Sequence, residues 1–375
     1  MRDIRLAKLA GVLVNYSVGV QPGQIVRISG AAVAQPLIVE LYRKVIEAGG
    51  HPLVRMNPEE LTEIFLKNAG HEQLTYVNPI AKYEIEKIDC SIGIWADENT
   101  KALSNVDPKR IGVQQAARKP ISEIFMNRAA EGKLRWSGTQ YPTQASAQDA
   151  DMSLEEYEDF VFGAGLLNEA DPVAGWRRIS QTQQRLADFL NGKSDYRVTA
   201  ANGTDVRMSV ANHRWINCDG HENFPDGEVF TGPIIDSVNG VIHFSFPAVH
   251  HGREVQDIKL TFRDGKVVDA SASKGQDFLF SMLDTDAGSR FLGECAIGTN
   301  YNIRQYTRNT LFDEKIGGTV HFAIGAGYPE TGNKNQSGVH WDMVVDLRNG
   351  GRIEIDGVTF SENGRFTREG FPAGK

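Results

Sequence analysis

The sequence contains little cysteine and no long hydrophobic segment. Its 3 cysteines, Cys90, Cys218 and Cys295, are an odd number without paired spacing, so neither a disulfide framework nor a CxxC zinc site is indicated. No run of about 18 apolar residues could cross a membrane, and the N-terminal segment lacks the apolar core of a signal peptide. We therefore expect a protein of the reducing cytoplasm that is neither secreted nor inserted into a membrane.

Positive charge is also scarce. The 375 residues include 40 Lys and Arg against 48 Asp and Glu, which gives a formal net charge of -8 at pH 7. Nucleic-acid backbones are bound by clustered basic side chains, so no nucleic acid is expected as a partner. Residues 29–34 follow the first predicted strand but have neither the spaced glycines of a dinucleotide site nor the Gly-Lys-Ser/Thr of a phosphate loop. Nucleotide binding is therefore not expected.

Two catalytic signatures are missing as well. The sequence has no Gly-x-Ser-x-Gly turn, which argues against a serine hydrolase of the α/β class. His71-Glu72 and His221-Glu222 begin like the helical zinc-protease motif HExxH, but neither is followed by the second histidine. Neither type of active site is therefore supported.

What the first half does contain is an alternation of strand and helix patterns. A strand pattern at residues 25–28, a helix pattern at 35–48 and a second strand pattern at 53–54 imply a βαβ unit with parallel pairing. The alternation continues with a helix pattern near residues 58–68, a strand pattern at 90–96, a helix pattern near 121–130 and a strand pattern around 134–136. These patterns predict an α/β fold in which residues 1–192 form an N-terminal domain with a doubly wound parallel sheet.

The second half is dominated by hairpin patterns. Turn residues such as Asn202-Gly203 separate alternating or apolar runs in three segments, residues 198–210, 258–268 and 343–358. One helix pattern occurs near residues 276–283. Residues 193–375 are therefore predicted to form a C-terminal α+β domain rich in antiparallel sheet, which we expect to bind metal for the reasons that follow.

Candidate chemistry is concentrated in this second half. His340 and Asp342 flank Trp341 in a strand-like run, and the alternation of side chains along a strand places both on one face. His321 lies in an apolar segment, residues 318–325, where a histidine would be buried and would need a partner. Taken alone, the pair is also compatible with an exposed strand edge, and His321 with a structural core histidine.

Two glutamates strengthen the case for a metal. Glu228 and Glu294 each interrupt an apolar segment marked by glycines, and neither segment contains an arginine at a matching place. Burial of an unpaired carboxylate costs roughly several kcal/mol, so each needs a cation or a proton. Together with His321, His340 and Asp342 they provide donors that suit zinc, cobalt, manganese or ferrous iron, in sufficient number for two ions. The sequence therefore predicts a metal-dependent hydrolase.

Six short motifs occur in order in the second half. They are Gly-Glu-Val-Phe-Thr at 227–231, Gly-Glu-Cys-Ala-Ile-Gly at 293–298, Thr-Leu-Phe-Asp-Glu at 310–314, His-Phe-Ala-Ile-Gly at 321–325, Gly-Tyr-Pro at 327–329 and His-Trp-Asp-Met at 340–343. Together they resemble the metallo-aminopeptidase family typified by thermophilic aminopeptidase T and aminopeptidase S. The resemblance implies an N-terminal α/β domain, a C-terminal metal domain, a homodimer, and two divalent ions held by the five residues above. It also implies Glu314 as a further ligand and Tyr328 as a ligand or oxyanion contact.

The resemblance further implies a substrate and a mechanism. The substrate is a peptide with a free N-terminus, whose α-amine is held by one ion. Two ions, zinc or cobalt with manganese or magnesium as alternatives, lower the pKa of a water molecule from about 15.7 toward neutrality and polarise the peptide carbonyl. Glu294, or another carboxylate close to the bridging water, is the candidate general base, and Tyr328 is the candidate donor to the oxyanion.

One alternative uses the same scaffold for oxidation. Ring-cleaving dihydroxypyridine dioxygenases are similar in fold to this family and hold ferrous iron with two histidines and one carboxylate, which His321, His340 and Asp342 would provide. Glu228 and Glu294 favour the hydrolase, because a mononuclear iron site does not need them. A binding protein with a degenerate site is disfavoured, because all five predicted ligands are present.

Overall fold

The computed structural model describes residues 3–250 and 252–374. These residues form two compact units. The first runs to Val173 and includes Gly220–Pro225, and the second comprises Ala174–Asp219 and the residues from Asp226 onward. The second unit begins earlier than residue 193, the predicted start of the C-terminal domain, because most of the long helix before that residue is counted with it.

Helices alternate with strands in the first unit, and strands predominate in the second. The helices are α1 Ile4–Val12, α2 Gln35–Glu47, α3 Glu60–Asn68, α4 His71–Thr75, α5 Pro79–Lys87, α6 Pro108–Ala130, α7 Gln144–Asp149, α8 Leu154–Ala164, α9 Pro172–Leu190, α10 Gln276–Leu283 and α11 Thr310–Asp313. The strands are β1 Ile25–Ala31, β2 His51–Asn57, β3 Cys90–Trp95, β4 Arg135–Gln140, β5 Asp195–Thr199, β6 Asp205–Ser209, β7 Ile216–Cys218, β8 Asn223–Phe224, β9 Glu228–Thr231, β10 Asn239–His243, β11 Ala248–His250, β12 Arg253–Val255, β13 Lys259–Arg263, β14 Lys266–Ser271, β15 Leu292–Gly298, β16 Thr319–Gly325, β17 His340–Asp346, β18 Arg352–Ile355, β19 Val358–Glu362 and β20 Arg365–Phe366.

The strands of the first unit form one parallel sheet in the order β2-β1-β3-β4-β8. The order turns back at β1, and right-handed crossovers in such an order place helices on both faces of the sheet. In β1, the buried Val26 and Ile28 alternate with half-buried neighbours. The predicted α/β fold with a parallel sheet is confirmed, and its last strand is supplied by residues 223–224, which return from later in the chain.

Helix α6 is longer than the helix predicted at residues 121–130. It begins at Pro108, after Asp107, whose side chain accepts a hydrogen bond from the backbone N–H of Lys109. No residue of α6 is buried, and Pro120 lies inside it. Its first half therefore lacks the apolar periodicity from which a helix is predicted.

The second unit contains an eight-stranded antiparallel sheet in the order β14-β13-β10-β6-β5-β18-β19-β20. The hairpins predicted at residues 198–210 and 258–268 are its pairs β5-β6 and β13-β14. The hairpin predicted at residues 343–358 is wrong. β17 pairs with β16, whereas β18 pairs with β5 and β19, so the turn after β17 carries the chain from one sheet into another. Turn residues mark where a strand ends, but they do not select the strand with which it pairs.

A five-stranded antiparallel sheet, β17-β16-β15-β9-β7, lies in the same unit. One of its faces packs into the core through Val229, Cys295, Ile297, Val320, Phe322, Ile324, Trp341, Met343 and Val345. The same core includes side chains from the eight-stranded sheet, α9 and α10. Because successive side chains of a strand point to opposite faces, the residues between these core positions lie on the other face.

Candidate metal centre

The other face of the five-stranded sheet carries five of the predicted ligands. Glu228 is the first residue of β9, Glu294 lies in β15, His321 in β16, and His340 and Asp342 in β17. In the strand register each stands opposite a glycine or alanine: Gly298 opposite Glu228, Ala296 opposite His321, Ala323 opposite Glu294 and Asp342, and Gly325 opposite His340. These small residues leave room on this face for the longer side chains to converge.

A β-bulge in β15 brings Glu294 to this face. The strand register shifts between Leu292 and Glu294, so that Gly293 is an extra residue. The extra residue reverses the alternation, because Leu292 and Cys295 both pack in the core although an even number of residues lies between them. A side chain at the bulge would collide with backbone: a Cβ atom on Gly293 would lie 2.1 Å from the carbonyl oxygen of Ala326.

The two histidines and three carboxylates lie close together. His321 Nε2 is 3.2 Å from Glu294 Oε1 and 3.3 Å from Glu228 Oε2. His340 Nε2 is 3.5 Å from Glu294 Oε2 and 3.5 Å from Asp342 Oδ2. Glu294 thus directs one carboxylate oxygen to each histidine and stands at the centre of the cluster.

The cluster divides into two groups with the spacing of metal ligands. Ligand atoms of Glu228, Glu294 and His321 lie within 4.8 Å of one another, and so do those of Glu294, His340 and Asp342. Glu294 belongs to both groups. The five residues predicted from the sequence therefore lie together, in two groups that have Glu294 in common.

Glu314, predicted only from the family resemblance, also reaches this cluster. It follows α11, and its carboxylate forms a third such group with His321 and Asp342, again within 4.8 Å. Its backbone carbonyl accepts a hydrogen bond from His321 Nδ1 at 2.9 Å. Glu314 thus orients His321 through its backbone while its side chain faces the same cluster.

Both histidines are oriented by backbone carbonyl groups. His321 Nδ1 donates to the carbonyl of Glu314, and His340 Nδ1 donates to the carbonyl of Ala326 at 2.8 Å. With a proton on Nδ1, the lone pair of Nε2 faces the carboxylates, which is how histidines that bind metals are commonly held. Beside carboxylate oxygens, Nε2 is stabilised either by a proton, which it donates to them, or by a metal cation between the two groups.

Burial makes the charges of this cluster costly. Burial raises the pKa of Glu228 well above its usual value, and it also raises the pKa of Glu294. Burial alone would lower the pKa of His321, but the hydrogen bond to Glu294 and the charge of Glu228 raise it to about 10. The cluster therefore attracts protons strongly, as expected where negative charge is concentrated away from water.

Two buried oxygens indicate where a cation would bind. Glu228 Oε2 and Asp342 Oδ1 have no hydrogen-bond partner in the part of the chain that the structure describes. Buried polar atoms are rarely left in this state. The carboxylate and imidazole donors, the orientation of the histidines and these two oxygens all fit divalent ions such as zinc, cobalt or manganese.

Sequence reasoning missed one charged residue of the site. Lys315 is fully buried, contacts the Glu314 carboxylate, and places its Nζ 3.8 Å from Glu228 Oε1 and 3.9 Å from Asp226 Oδ1. Burial alone would lower the pKa of Lys315, but these carboxylates raise it above its ordinary value, so the ammonium group stays charged. This lysine comes from a segment more than 80 positions from Asp226 and Glu228, and no local pattern marks it as their partner.

Tyr328, the predicted oxyanion contact, lies at the edge of the cluster. Its ring packs edge-on against His340, with ring centroids 5.2 Å apart, and against Phe230 at 5.3 Å. Burial raises the pKa of Tyr328 above its usual range, so its hydroxyl keeps its proton and can donate a hydrogen bond. The structure therefore brings Tyr328 to the same place as the predicted ligands.

A small cavity opens beside the cluster. It is bordered by Glu314 and Asp342, together with Pro247, Ala248, Val249, Tyr306, Arg308, Thr310, Asp313, Met343 and Val344. The side chain of His340 is 27% exposed, whereas that of His321 is 1% exposed. The cluster is thus more exposed at His340 than at His321.

Comparison with known proteins identifies the family of this chain. Residues 2–367 match the family described as thermophilic metalloprotease (M29). The chain belongs to the M29 metalloprotease family. Aminopeptidase 2 of Geobacillus stearothermophilus is 30% identical to this M29 protein, and the alignment covers 94% of each chain. The predicted family, and with it the class of metal-dependent peptide hydrolase, is confirmed.

Solved structures support the same fold for this M29 protein. Wild-type AmpT from Thermus thermophilus matches with a TM-score of 0.85 and 23% identity, over 98% of this chain and 100% of the other. The 2,5-dihydroxypyridine dioxygenase of Pseudomonas putida KT2440 matches with a TM-score of 0.61 and 12% identity, over 97% and 98%. Because both identities are below 25%, the two matches show a common fold and nothing about function. Across the described residues, no helix combines the length and apolar character needed to span a membrane.

Proposed function

We propose that this chain is an aminopeptidase that removes the N-terminal residue of peptides with the help of two divalent ions. The observation that carries the proposal is the position of Glu294, whose two carboxylate oxygens lie 3.2 Å from His321 Nε2 and 3.5 Å from His340 Nε2. A carboxylate between two ligand groups is the arrangement expected of a bridging ligand. The names of the relatives, which are aminopeptidases, support the same reaction.

The ligands would be divided between two positions. Glu228, Glu294 and His321 would hold one ion, and Glu294, His340 and Asp342 the other. Glu314, grouped with His321 and Asp342, lies beside both positions and would be a further ligand. Carboxylate and imidazole donors without thiolate suit zinc or cobalt best, with manganese or magnesium as alternatives.

When bound, such ions lower the pKa of a water molecule and polarise a peptide carbonyl. Glu294, or another carboxylate close to the activated water, is the proposed proton acceptor, because Glu294 lies between the two groups of ligands. Tyr328 is the proposed donor to the developing oxyanion, because its hydroxyl stays protonated beside His340. The substrate would be a peptide with a free α-amine, and the chain would act as a homodimer in the cytoplasm.

The test combines metal content with a pair of substrates. The purified chain is stripped with a chelator, equilibrated with zinc or cobalt, freed of loose ions and analysed for bound metal. It is then assayed on an aminoacyl chromogenic amide and on the N-acetylated form of the same amide. We expect about two ions per chain and hydrolysis of the free amine only. Cleavage of the acetylated substrate, or activity that survives complete loss of metal, would refute the proposal.

The ring-cleaving dioxygenase is a second candidate because of its related fold, although in the described residues His321, His340 and Asp342 do not form one group with the spacing of metal ligands. Glu228 and Glu294 weigh against it, since both carboxylates lie beside His321. A chain that binds a single ferrous ion and consumes oxygen with a dihydroxypyridine would favour the dioxygenase.

A further inference from the structure

We propose that Lys315 is a built-in counter-cation, which neutralises the carboxylate cluster before metal arrives and thereby weakens the binding of one of the two ions. This inference rests on the proposed two-ion function. It concerns a residue that is not itself a ligand. The lysine is fully buried, and its position among three carboxylates gives it two effects of opposite sign.

The first effect is stabilisation of the chain without metal. Asp226, Glu228 and Glu314 are carboxylates that lie against the ammonium group of Lys315. Asp226 is completely buried, and 6% of Glu228 is exposed. Removal of one partner of a buried ion pair leaves an uncompensated charge, which is strongly destabilising. Lys315 supplies positive charge that does not depend on the supply of metal.

The ammonium group lies beside a further group of possible ligand atoms. Ligand atoms of Cys218, Asp226 and Glu228 lie within 4.8 Å of one another, which is a spacing compatible with a cation. The Nζ of Lys315 lies 3.9 Å from Asp226 Oδ1 and 3.8 Å from Glu228 Oε1. The chain thus places its own cation beside the predicted metal positions.

The second effect is competition, and it is unequal between the two ions. Lys315 forms ion pairs with Glu228, which belongs to the position around His321, and with Glu314, whose carboxylate is grouped with both His321 and Asp342. In the described part of the chain it forms none with Glu294 or Asp342. An ion at the His321 position must share carboxylates with an ammonium group and is repelled by it. We therefore infer that the ion at the His340 position binds first and more tightly.

Replacement of Lys315 by methionine keeps the length of the side chain and removes its charge. Two quantities are measured on the full-length chain: the Tm after chelation, and the binding of cobalt(II) by titration, followed by its visible absorption. We expect Lys315→Met to lower the Tm of the stripped chain. It should also raise the affinity for the more weakly bound cobalt ion at least tenfold. The affinity for the more tightly bound ion should change by no more than about threefold, because Lys315 does not contact the carboxylates of that position.

Lys315→Arg is the matched control, since it keeps the charge. It should bind cobalt more like the natural chain than the methionine variant does. If Lys315→Met instead weakens the second ion and leaves the Tm of the stripped chain unchanged, Lys315 merely positions its neighbours and the proposal is wrong.

A second variant is expected to change cobalt affinity in the opposite direction. It also tests the proposal if Lys315→Met does not fold. Asp226→Asn removes one of the three carboxylates, so the ammonium group would interact more strongly with Glu228 and Glu314. We expect the weaker cobalt ion to bind still more weakly in this variant. Unchanged or tighter binding would overturn the proposal.

Failure of the underlying function gives a different result. If the natural chain binds one ion or does not cleave peptides, the two-ion aminopeptidase is refuted by that fact alone. The role of Lys315 is then decided by the stripped chain. A lower Tm for Lys315→Met than for Lys315→Arg would support the counter-cation, and equal values would contradict it.

Discussion

The two faces of the five-stranded sheet come from alternate residues of the same strands, yet their chemistry is opposite. On one face, Phe322 and Trp341 belong to the apolar core. On the other, their sequence neighbours His321 and Asp342 belong to a cluster of ionisable groups. The apolar face fixes the positions of the strands, and the positions of the strands fix the distances between the ligands. A concentration of like charge is tolerated on one face because the other face is firmly packed.

The largest effect on stability is expected from the apolar face. Phe322→Ala removes a fully buried ring and should lower the free energy of unfolding by about 3–5 kcal/mol. Phe322→Leu, which keeps most of the volume, should cost much less. Denaturant unfolding of both variants measures the difference. If the two faces have separate roles, the molecules of Phe322→Ala that remain folded should still bind metal. Loss of metal binding from a chain shown to be folded would contradict this separation.

The largest effect on activity is expected from the ligand face. His340→Ala should lower the rate of peptide hydrolysis at least about a hundredfold, which corresponds to about 2.7 kcal/mol in the activation barrier. Its side chain is partly exposed, so the fold should persist, as circular dichroism can check. His243→Ala is the matched control, because His243 pairs with Asp257 and belongs to none of the ligand groups. Full turnover by His340→Ala would remove His340 from the active site.

A change at the bulge should disturb both faces at once. Gly293→Ala would bring a methyl group against the backbone at Ala326, and we expect a loss of about 1–3 kcal/mol in unfolding free energy together with weaker metal binding. Gly93→Ala, in β3 of the first unit, is a control in which the added Cβ meets no atom within 4 Å. Calorimetry with and without zinc compares the two. Unchanged metal affinity in Gly293→Ala would mean that the bulge does not control the position of Glu294.

The last prediction concerns pH in the metal-stripped chain. The pKa of His321 is raised from 6.5 to about 10, and those of Glu228 and Glu294 are raised too, so these groups hold more protons in the folded chain than in the unfolded one. The resulting stabilisation is fully present below the ordinary pKa and is lost as the pH rises through the folded value. We expect the Tm of the stripped chain to fall between pH 6.5 and 10.

Metal should flatten this dependence, because ions replace the protons of their ligands. The comparison needs only thermal unfolding of stripped and zinc-loaded chain in the same series of buffers. A Tm that rises with pH in the stripped chain would show that other groups dominate.

Local patterns predicted much of the fold and most of the site. Alternation along a strand was sufficient to place His340 and Asp342 on one face, and strands β1 and β3 were predicted close to their observed bounds. The bulge at Gly293 was not predicted, because it depends on the register with β16. The pairing of β18 with β5 was missed for the same reason, since it joins strands that are far apart in sequence.

The partners of the charged side chains were harder to predict from the sequence. Glu314 and Tyr328 were reached only through family resemblance, since neither stands out in its own segment. Lys315 pairs with Glu228 and Asp226 from more than 80 positions away, and nothing local signals such a contact. Residues that act through long-range electrostatics leave a weaker trace in a sequence than residues that follow the period of a strand.

The backbone of Glu314 has a kinetic consequence. Its carbonyl holds the Nδ1 proton of His321, while its carboxylate lies in the same group of ligands and against Lys315. If this short segment opens, a histidine loses its orientation and a carboxylate leaves the cluster in the same event. The exchange of the ion at that position should therefore follow the rate of local opening at residues 314–316, and amide hydrogen exchange there should slow when the ion is bound.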